Sequence, residues 1–343
     1  MKALTLKEYK KLVLEDVPEP ELRPDSVLVA VKACGICGSD VHGMDGSTGR
    51  RQPPIIMGHE AAGVVARIGA AVEHWEPGAR VTFDSTIYCG ACDYCRGGRV
   101  NLCQNRRVLG VSCGDYRQQG AFAQYVAVPQ RALYRLPPAM PFEHAALVEP
   151  LSVAFHAVRR SGLAQGERAL VVGAGLIGLL LVQSLRRAGC AQIIAVDIAP
   201  AKLALAKKLG ATDVVDSTQL AALAQILELT GGKGAGAVFE AVGISPTIDL
   251  AIRAARKGGS VTLVGNIAPV VDFPLQSCVT RELTLYGSCA SCGEYPDCLD
   301  ALARGAIDVA PLISAVAPLE QGAEWFARLY RGEPGLIKVI LTP

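Results

Sequence analysis

RALVVGAGLIG, residues 168–178, decides how the rest of the chain is read. Residues 168–172 form a short apolar run of the kind found in a strand buried on both faces. The run passes directly into Gly173, Ala174 and Gly175, and residues 176–188 then turn helical in character. Each glycine at such a junction answers a separate need. Gly173 makes the turn, Gly175 lets backbone approach a pyrophosphate, and Gly178 allows the helix to pack closely. The helix start adds unpaired N–H groups and the positive end of its dipole. Gly173, Gly175, Leu176, Ile177 and Gly178 are therefore the expected dinucleotide site. Asp197 ends the next strand, 22 residues beyond Gly175. A carboxylate there accepts hydrogen bonds from the ribose hydroxyls and repels a 2′-phosphate, so NAD is expected rather than NADP. Lys202, the first cation after Asp197, completes the expected site.

Outward from this motif the rhythm is regular. Strands are expected at 192–196, 213–215, 236–240, 260–264 and 283–286, alternating with helices at 200–209, 219–229 and 247–255. Repeated βα units predict a parallel, doubly wound sheet. From about residue 291 the alternation stops, and one helix and a short strand at 337–341 are expected to finish the chain. Residues 1–150 read differently. Short β-type runs at 26–33, 62–68, 80–83 and 123–128 are separated by turn residues, which predicts a β-rich partial barrel. Two domains also suit a chain of 343 residues.

Composition narrows the function. Half the residues are apolar and 36 are glycine, and the formal charge is only +2 with both signs mixed. Neither nucleic acid nor a membrane surface is favoured as a partner. The N-terminus lacks a signal-peptide pattern, and the longest apolar stretch, 169–185, is interrupted by three glycines, Gln183 and Ser184. A soluble, cytoplasmic protein is expected.

Twelve cysteines in a reducing compartment point to metal or chemistry rather than to disulfides. Cys89, Cys92, Cys95 and Cys103 fall within 15 residues, with glycines at 90, 97 and 98 to let the loop fold back. Four thiolates at such spacing suit a closed tetrahedral zinc site. Arg96, Arg99, Arg106 and Arg107 crowd the same loop, as in a nucleic-acid-binding ribbon, but the balanced charge of the chain disfavours that alternative. A second set is scattered: CGICGSDVH at 34–42, GHE at 58–60 and EPLS at 149–152. Sulfur, imidazole and carboxylate donors are all present, and a catalytic zinc needs about three of them plus an open position.

CGICGSDVH, GHE, the four-cysteine loop, EPLSV and GAGLIG occur in the order seen in zinc-dependent medium-chain dehydrogenases/reductases, and the chain resembles the sorbitol and polyol dehydrogenase branch over nearly its whole length. The resemblance implies an α/β protein with a GroES-like β-rich catalytic domain (1–153 and 291–343) around a Rossmann NAD-binding domain (154–290). It implies two Zn2+ per subunit: a structural one on Cys89, Cys92, Cys95 and Cys103, and a catalytic one on Cys37, His59 and a carboxylate from Glu60 or Glu149. Asp40 matches the carboxylate that orients the histidine ligand, and Cys34 is not a ligand. Ser39 matches a hydroxyl that relays the substrate proton, with His42 as its continuation and Glu149 as a further group of the reacting site. The bland alternatives are a helix-capping hydroxyl for Ser39 and an exposed imidazole for His42.

The implied reaction passes a hydride from a polyol, sugar alcohol or related secondary alcohol to NAD, giving a ketone, in a homodimer or homotetramer. Ala290 stands where the sorbitol branch carries a substrate-binding arginine, which argues against sorbitol itself; Glu294 and Tyr295 are nearby polar substitutes. Cys289, Cys292 and Cys298 are read as unbound thiols. The alternative from another class is a non-enzymatic NAD-binding protein that kept the fold. The presence of Cys37, His59 and Glu149 together weighs against it, and against a zinc-free quinone reductase.

Overall fold

The computed structural model describes residues 1–112 and 117–343. The chain forms two compact units: Met1–Glu149 with Cys292–Gly305 and Val309–Pro343, and Pro150–Ser291 with Ala306–Asp308.

In the second unit six strands make one wholly parallel sheet. From edge to edge the order is Asp213–Asp216, Gln192–Asp197, Arg168–Val172, Ala235–Glu240, Ala255–Leu263 and Thr284–Gly287. The order reverses at the Arg168–Val172 strand, the point where doubly wound sheets bind nucleotides. Leu170, Ile194, Val196, Val238 and Val261 are fully buried between the helical layers, as expected of strands covered on both faces. Two boundaries differ from the sequence expectation by three residues or more. The fifth strand begins at Ala255, because Lys257, Gly258 and Gly259 form an irregular first half that mimics a turn in sequence; Gly258 has φ 68°. The helix expected from 219 begins at Ala222, since Asp216 accepts hydrogen bonds from Thr218 and holds a turn there.

In the first unit the main sheet is antiparallel for most of its width and runs Leu133–Arg135, Arg80–Phe83, Glu60–Ile68, Ser26–Gly35, Lys338–Thr342, Ile313–Pro318; Tyr125–Pro129 also pairs with Ser26–Gly35. Its core includes Val27, Val29, Val31, Val81, Phe83, Val339 and Phe122, which meets Phe326 edge-on at 5.6 Å. The end of the chain is richer than the single helix and strand expected. Helices span Tyr295–Ala303 and Gly322–Tyr330, and strands Ile313–Pro318 and Lys338–Thr342 pair in parallel. The Ile313–Pro318 strand escapes sequence reading because it is short, half-exposed and ends in proline.

One register positions the candidate site. Gly35 pairs with Glu60 on one side and with Ile340 on the other, and Cys34 pairs with Ala61 and Leu341. Three strand ends from distant parts of the chain therefore converge just past Gly35. A Cβ at Gly35 would lie 2.3 Å from Glu60 Oε2 and 3.3 Å from Lys338 Cδ, so a side chain there would press on the buried Glu60–Lys338 pair.

Candidate active site

Cys37 occupies the N-cap of the short Gly38–Gly43 helix. His59 and Glu60 follow Gly58, whose φ of 93° suits glycine and whose missing side chain leaves room for Cys34 Sγ and Phe122. One donor atom from each of Cys37, His59 and Glu60 lies within 4.8 Å of the others. His59 and Glu60 are buried and Cys37 is half-buried. Glu60 Oε1 has no hydrogen-bond partner among the described residues, while Oε2 accepts from Lys338 Nζ. An orphaned buried carboxylate oxygen beside a thiol and an imidazole fits a divalent cation with soft and borderline donors.

Electrostatics agree with this. Burial opposes protonation of His59, but Asp40 and Cys37 outweigh it and hold the imidazole pKa well above its ordinary value. A negative field that strong attracts a metal cation as it attracts a proton. Asp40 is fully buried, and although burial raises its pKa, His59 and Arg51 hold it well below the carboxylate range. Asp40 Oδ2 lies 3.5 Å from His59 Nδ1, an ion-pair contact rather than a hydrogen bond; Nδ1 on the Asp40 side leaves Nε2 as the nitrogen available to act as a ligand. Cys34 is fully buried, its thiol pushed up by desolvation and by Asp40 and Glu60.

Glu149 is not part of the three-donor cluster. It accepts from Ser85 Oγ at 3.3 Å. Desolvation, helped by Glu60 and Asp84, raises it to about 7 against the lowering influence of His59. Ser39 and His42 are both exposed. Ser39 does not cap the helix, since Cys37 stands at that position; its Oγ accepts from Arg51 Nη2 at 3.2 Å. Two partners escaped sequence reading. Lys338 is 1% exposed in an otherwise uncharged strand, KVILT, and that lone charge was the available signal. Arg51 is 2% exposed but lies in the polar run GRRQ, which looks like any surface loop.

Asp84, whose charge acts on Glu149, is buried and raised to about 6, chiefly by desolvation, although Thr86 N–H donates to Oδ1 at 2.8 Å. Its folded pKa thus exceeds the unfolded value of 3.8. The stability tied to its proton is present below pH 4 and is lost as pH rises through 6. Asp84→Asn is expected to raise stability at pH 8 by about 2–3 kcal/mol, from roughly two pKa units at 1.36 kcal/mol each, with little effect at pH 4. Urea titrations at the two pH values check it; equal effects at both would refute it.

The four-cysteine loop closes on itself. Cys92 Sγ is 3.5 Å from Cys95 Sγ and 3.9 Å from Cys103 Sγ, and Cys89 Sγ is 4.0 Å from Cys95 Sγ. The Cys89 N–H points at Cys103 Sγ (3.2 Å) and the Ala91 N–H at Cys89 Sγ (3.4 Å), contacts that favour thiolates. The nearby arginines fold back onto the loop: Arg96 bonds Ala91 O and Asp93, Arg106 bonds Asn101 O, and Arg99 lies over the Tyr94 ring. Cys292 Sγ donates to Gly98 O at 3.0 Å, Cys298 is buried and Cys289 is exposed. Ala290 has φ 51°. Glu294 and Tyr295 are buried; Glu294 accepts from the Cys292 N–H and Tyr295 stacks on Tyr134 at 4.8 Å.

In the second unit the three glycines show three environments. A Cβ on Gly173 (φ 96°) would lie 2.5 Å from Val242 Cγ2, and one on Gly178 would lie 1.8 Å from Gly173 O. A Cβ on Gly175 would meet nothing within 4 Å, which leaves open space above the N-cap of the Leu176–Arg187 helix. Asp197 Oδ2 accepts from Ala174 N at 2.7 Å and Oδ1 from Ala199 N at 2.9 Å. The carboxylate therefore stands over the glycine turn, and each oxygen keeps a lone pair for a ribose hydroxyl. Leu176, Ile177 and Lys202 are half-buried.

The family model of the alcohol dehydrogenase GroES-like domain matches residues 23–138, and that of the zinc-binding dehydrogenase matches 177–304. A sorbitol dehydrogenase of Bacillus subtilis (strain 168) is 32% identical over 100% of this chain and 97% of its own. A D-arabitol-phosphate dehydrogenase of Enterococcus avium is 34% identical over 97% and 94%. The crystal structure of a zinc-binding dehydrogenase of Sinorhizobium meliloti 1021, bound to NADP, superposes with a TM-score of 0.89 at 34% identity, covering 100% and 99% of the two chains. With these matches, the converging donors past Gly35 and the glycine turn at the switch of a parallel sheet, the chain belongs to the zinc-dependent medium-chain dehydrogenases, in their polyol dehydrogenase branch.

Proposed function

We propose that this enzyme oxidises a secondary hydroxyl of a polyol, sugar alcohol or related alcohol to a ketone, with NAD as hydride acceptor and two zinc ions per chain. The observation that carries it is the Cys37–His59–Glu60 donor cluster, half-buried at Cys37 and buried at the other two, with its orphaned carboxylate oxygen. Zinc, when bound, supplies a Lewis acid that lowers the pKa of the alcohol. Cys37, His59 and a carboxylate hold it. Glu60 is the direct candidate because it lies inside the cluster, and Glu149 stands by as the exchanging one. Asp40 orients His59, and Ser39 receives the hydroxyl proton and passes it toward His42. A hydroxyl is a weak base, so it serves as a relay rather than as a final acceptor. Cys89, Cys92, Cys95 and Cys103 hold the second zinc.

NAD is supported by Asp197, whose carboxylate faces the glycine turn. The Sinorhizobium relative was crystallised with NADP, so the preference needs its own test. Asp197→Ala is expected to raise KM for NAD about tenfold, the worth of one charged hydrogen bond at about 1.5 kcal/mol, while NADP gains. An unchanged ratio of kcat/KM values refutes the role.

We also propose a homodimer or homotetramer. The open strand edge at Thr284–Gly287 and the exposed apolar side chains Val270, Leu275 and Val279 support it. A monomer by sedimentation overturns it. Among the described residues no helix is long and apolar enough to cross a membrane. The decisive assay is a panel of polyols, sugar acids, sugar phosphates and simple alcohols, read by nicotinamide absorbance with both cofactors. Turnover of one class is the expected result, and none by zinc-loaded protein overturns the proposal. Two zinc ions per chain are expected by elemental analysis.

A further inference from the structure

Arg51 is among the largest fully buried side chains and lies outside the Cys37–His59–Glu60 donor cluster. Its Nε and Nη2 both donate to Asp40 Oδ1, at 3.1 and 2.7 Å, Nη2 donates to Ser39 Oγ at 3.2 Å, and Nη1 to Arg50 O at 3.3 Å. Asp40 turns its other oxygen to His59 Nδ1. One guanidinium thus touches both the carboxylate behind His59 and the hydroxyl assigned to the proton relay. The helix is shaped to admit it. A Cβ on Gly43 would lie 2.6 Å from Arg51 Cγ and 3.5 Å from its Cβ, and Gly43 is buried.

We propose that Arg51 is a positioning residue that couples the metal-ligand shell to the proton relay; this rests on the dehydrogenase reading above. Two donors on one oxygen of Asp40 leave the carboxylate a single orientation, with the second oxygen toward Nδ1. That keeps the His59 ring turned so that its Nε2 lone pair faces Cys37 and Glu60. At Ser39 the proton of Oγ leaves toward His42 slightly ahead of the arrival of the substrate hydroxyl proton at Oγ. Negative charge appears on Oγ in passing, and a fixed cationic donor stabilises it without reorganising. A lysine lacks the planar fork and gives up one of the two contacts.

The test compares Arg51→Met, Arg51→Lys and Gly43→Ala in the full chain. Zinc affinity is read by chelator competition, independently of turnover, and kcat and KM are measured on the best alcohol of the panel. Arg51→Met is expected to lower zinc affinity by about 10–100-fold, the usual cost of removing a group that orients a ligand, and to lower kcat with KM nearly unchanged. Arg51→Lys restores most of the zinc affinity but not kcat. Gly43→Ala moves both readouts the same way as Arg51→Met, by less. A fall in melting temperature with parental zinc affinity and kcat in all three variants would overturn the proposal and leave Arg51 a structural residue. Should Arg51→Met not fold, the other two variants carry the comparison. A parent enzyme that oxidises no alcohol defeats the dehydrogenase reading instead, and the affinity measurement then still decides the ligand-shell role.

Discussion

Cys37→Ser is expected to abolish turnover while the fold persists. Cys37 offers the one thiol in the Cys37–His59–Glu60 cluster and lies half-buried at the N-cap of a six-residue helix, with no side-chain capping bond to lose. Serine keeps the size and backbone at that position but is a poor zinc ligand, so the effect falls on metal retention and Lewis acidity. Polarisation of a substrate oxygen is worth several kcal/mol of transition-state stabilisation. At 1.36 kcal/mol per decade this is a loss of about a thousandfold or more in kcat/KM. Circular dichroism and the urea midpoint should stay close to the parent, and zinc content should fall from two to one. Wild-type rates in a variant carrying one zinc would remove that metal from the mechanism.

Cys95→Ser should show the opposite order of damage. Cys89, Cys92, Cys95 and Cys103 gather in a loop whose only regular elements are Asp93–Arg96, a single turn, and the 3-10 turn Val100–Leu102. None of the side chains of Asp93–Arg96 is fully buried, so little apolar packing is available to hold the loop. Metal binding then supplies the folding energy there. Removing one thiolate is expected to cost about 4 kcal/mol or more, a range that single substitutions reach only through a named lesion such as loss of a metal site. The urea midpoint should drop, zinc content should again fall to one, and turnover at low temperature should decline less than stability. A variant as stable as the parent would mean that the loop folds without metal.

The division between what could be read and what could not follows the range of the interactions. The glycine turn is legible because its three constraints act within six residues, and each matches an observed environment: Gly173 in the left-handed region, Gly175 beneath open space, Gly178 pressed against Gly173 O. The parallel sheet is legible for the same reason, each βα unit carrying its own period. The irregular start of the Ala255–Leu263 strand is not, since Gly258 and Gly259 look like punctuation until the neighbouring strand pairs with them. Cys37 and His59 stand out in the sequence through their motifs, and their donor atoms lie close together. Arg51, eleven residues from Asp40, was not, because an arginine in a polar loop has the same local pattern whether it is exposed or buried.

The sequence alone determined which groups the protein carries: a dinucleotide turn, four thiols able to close on zinc, and a thiol, an imidazole and carboxylates able to hold another. Tertiary structure decided how the carboxylates divide. Glu60 and Lys338 are 278 residues apart, and only the register that sets Gly35 between Glu60 and Ile340 buries them together. The same register puts Glu60 inside the donor cluster, while Glu149, held by Ser85, stands outside it. A short motif can specify its own conformation because its hydrogen bonds and steric limits are local. The field at a buried carboxylate sums over every strand end that reaches it, and that sum exists only once the sheet has formed.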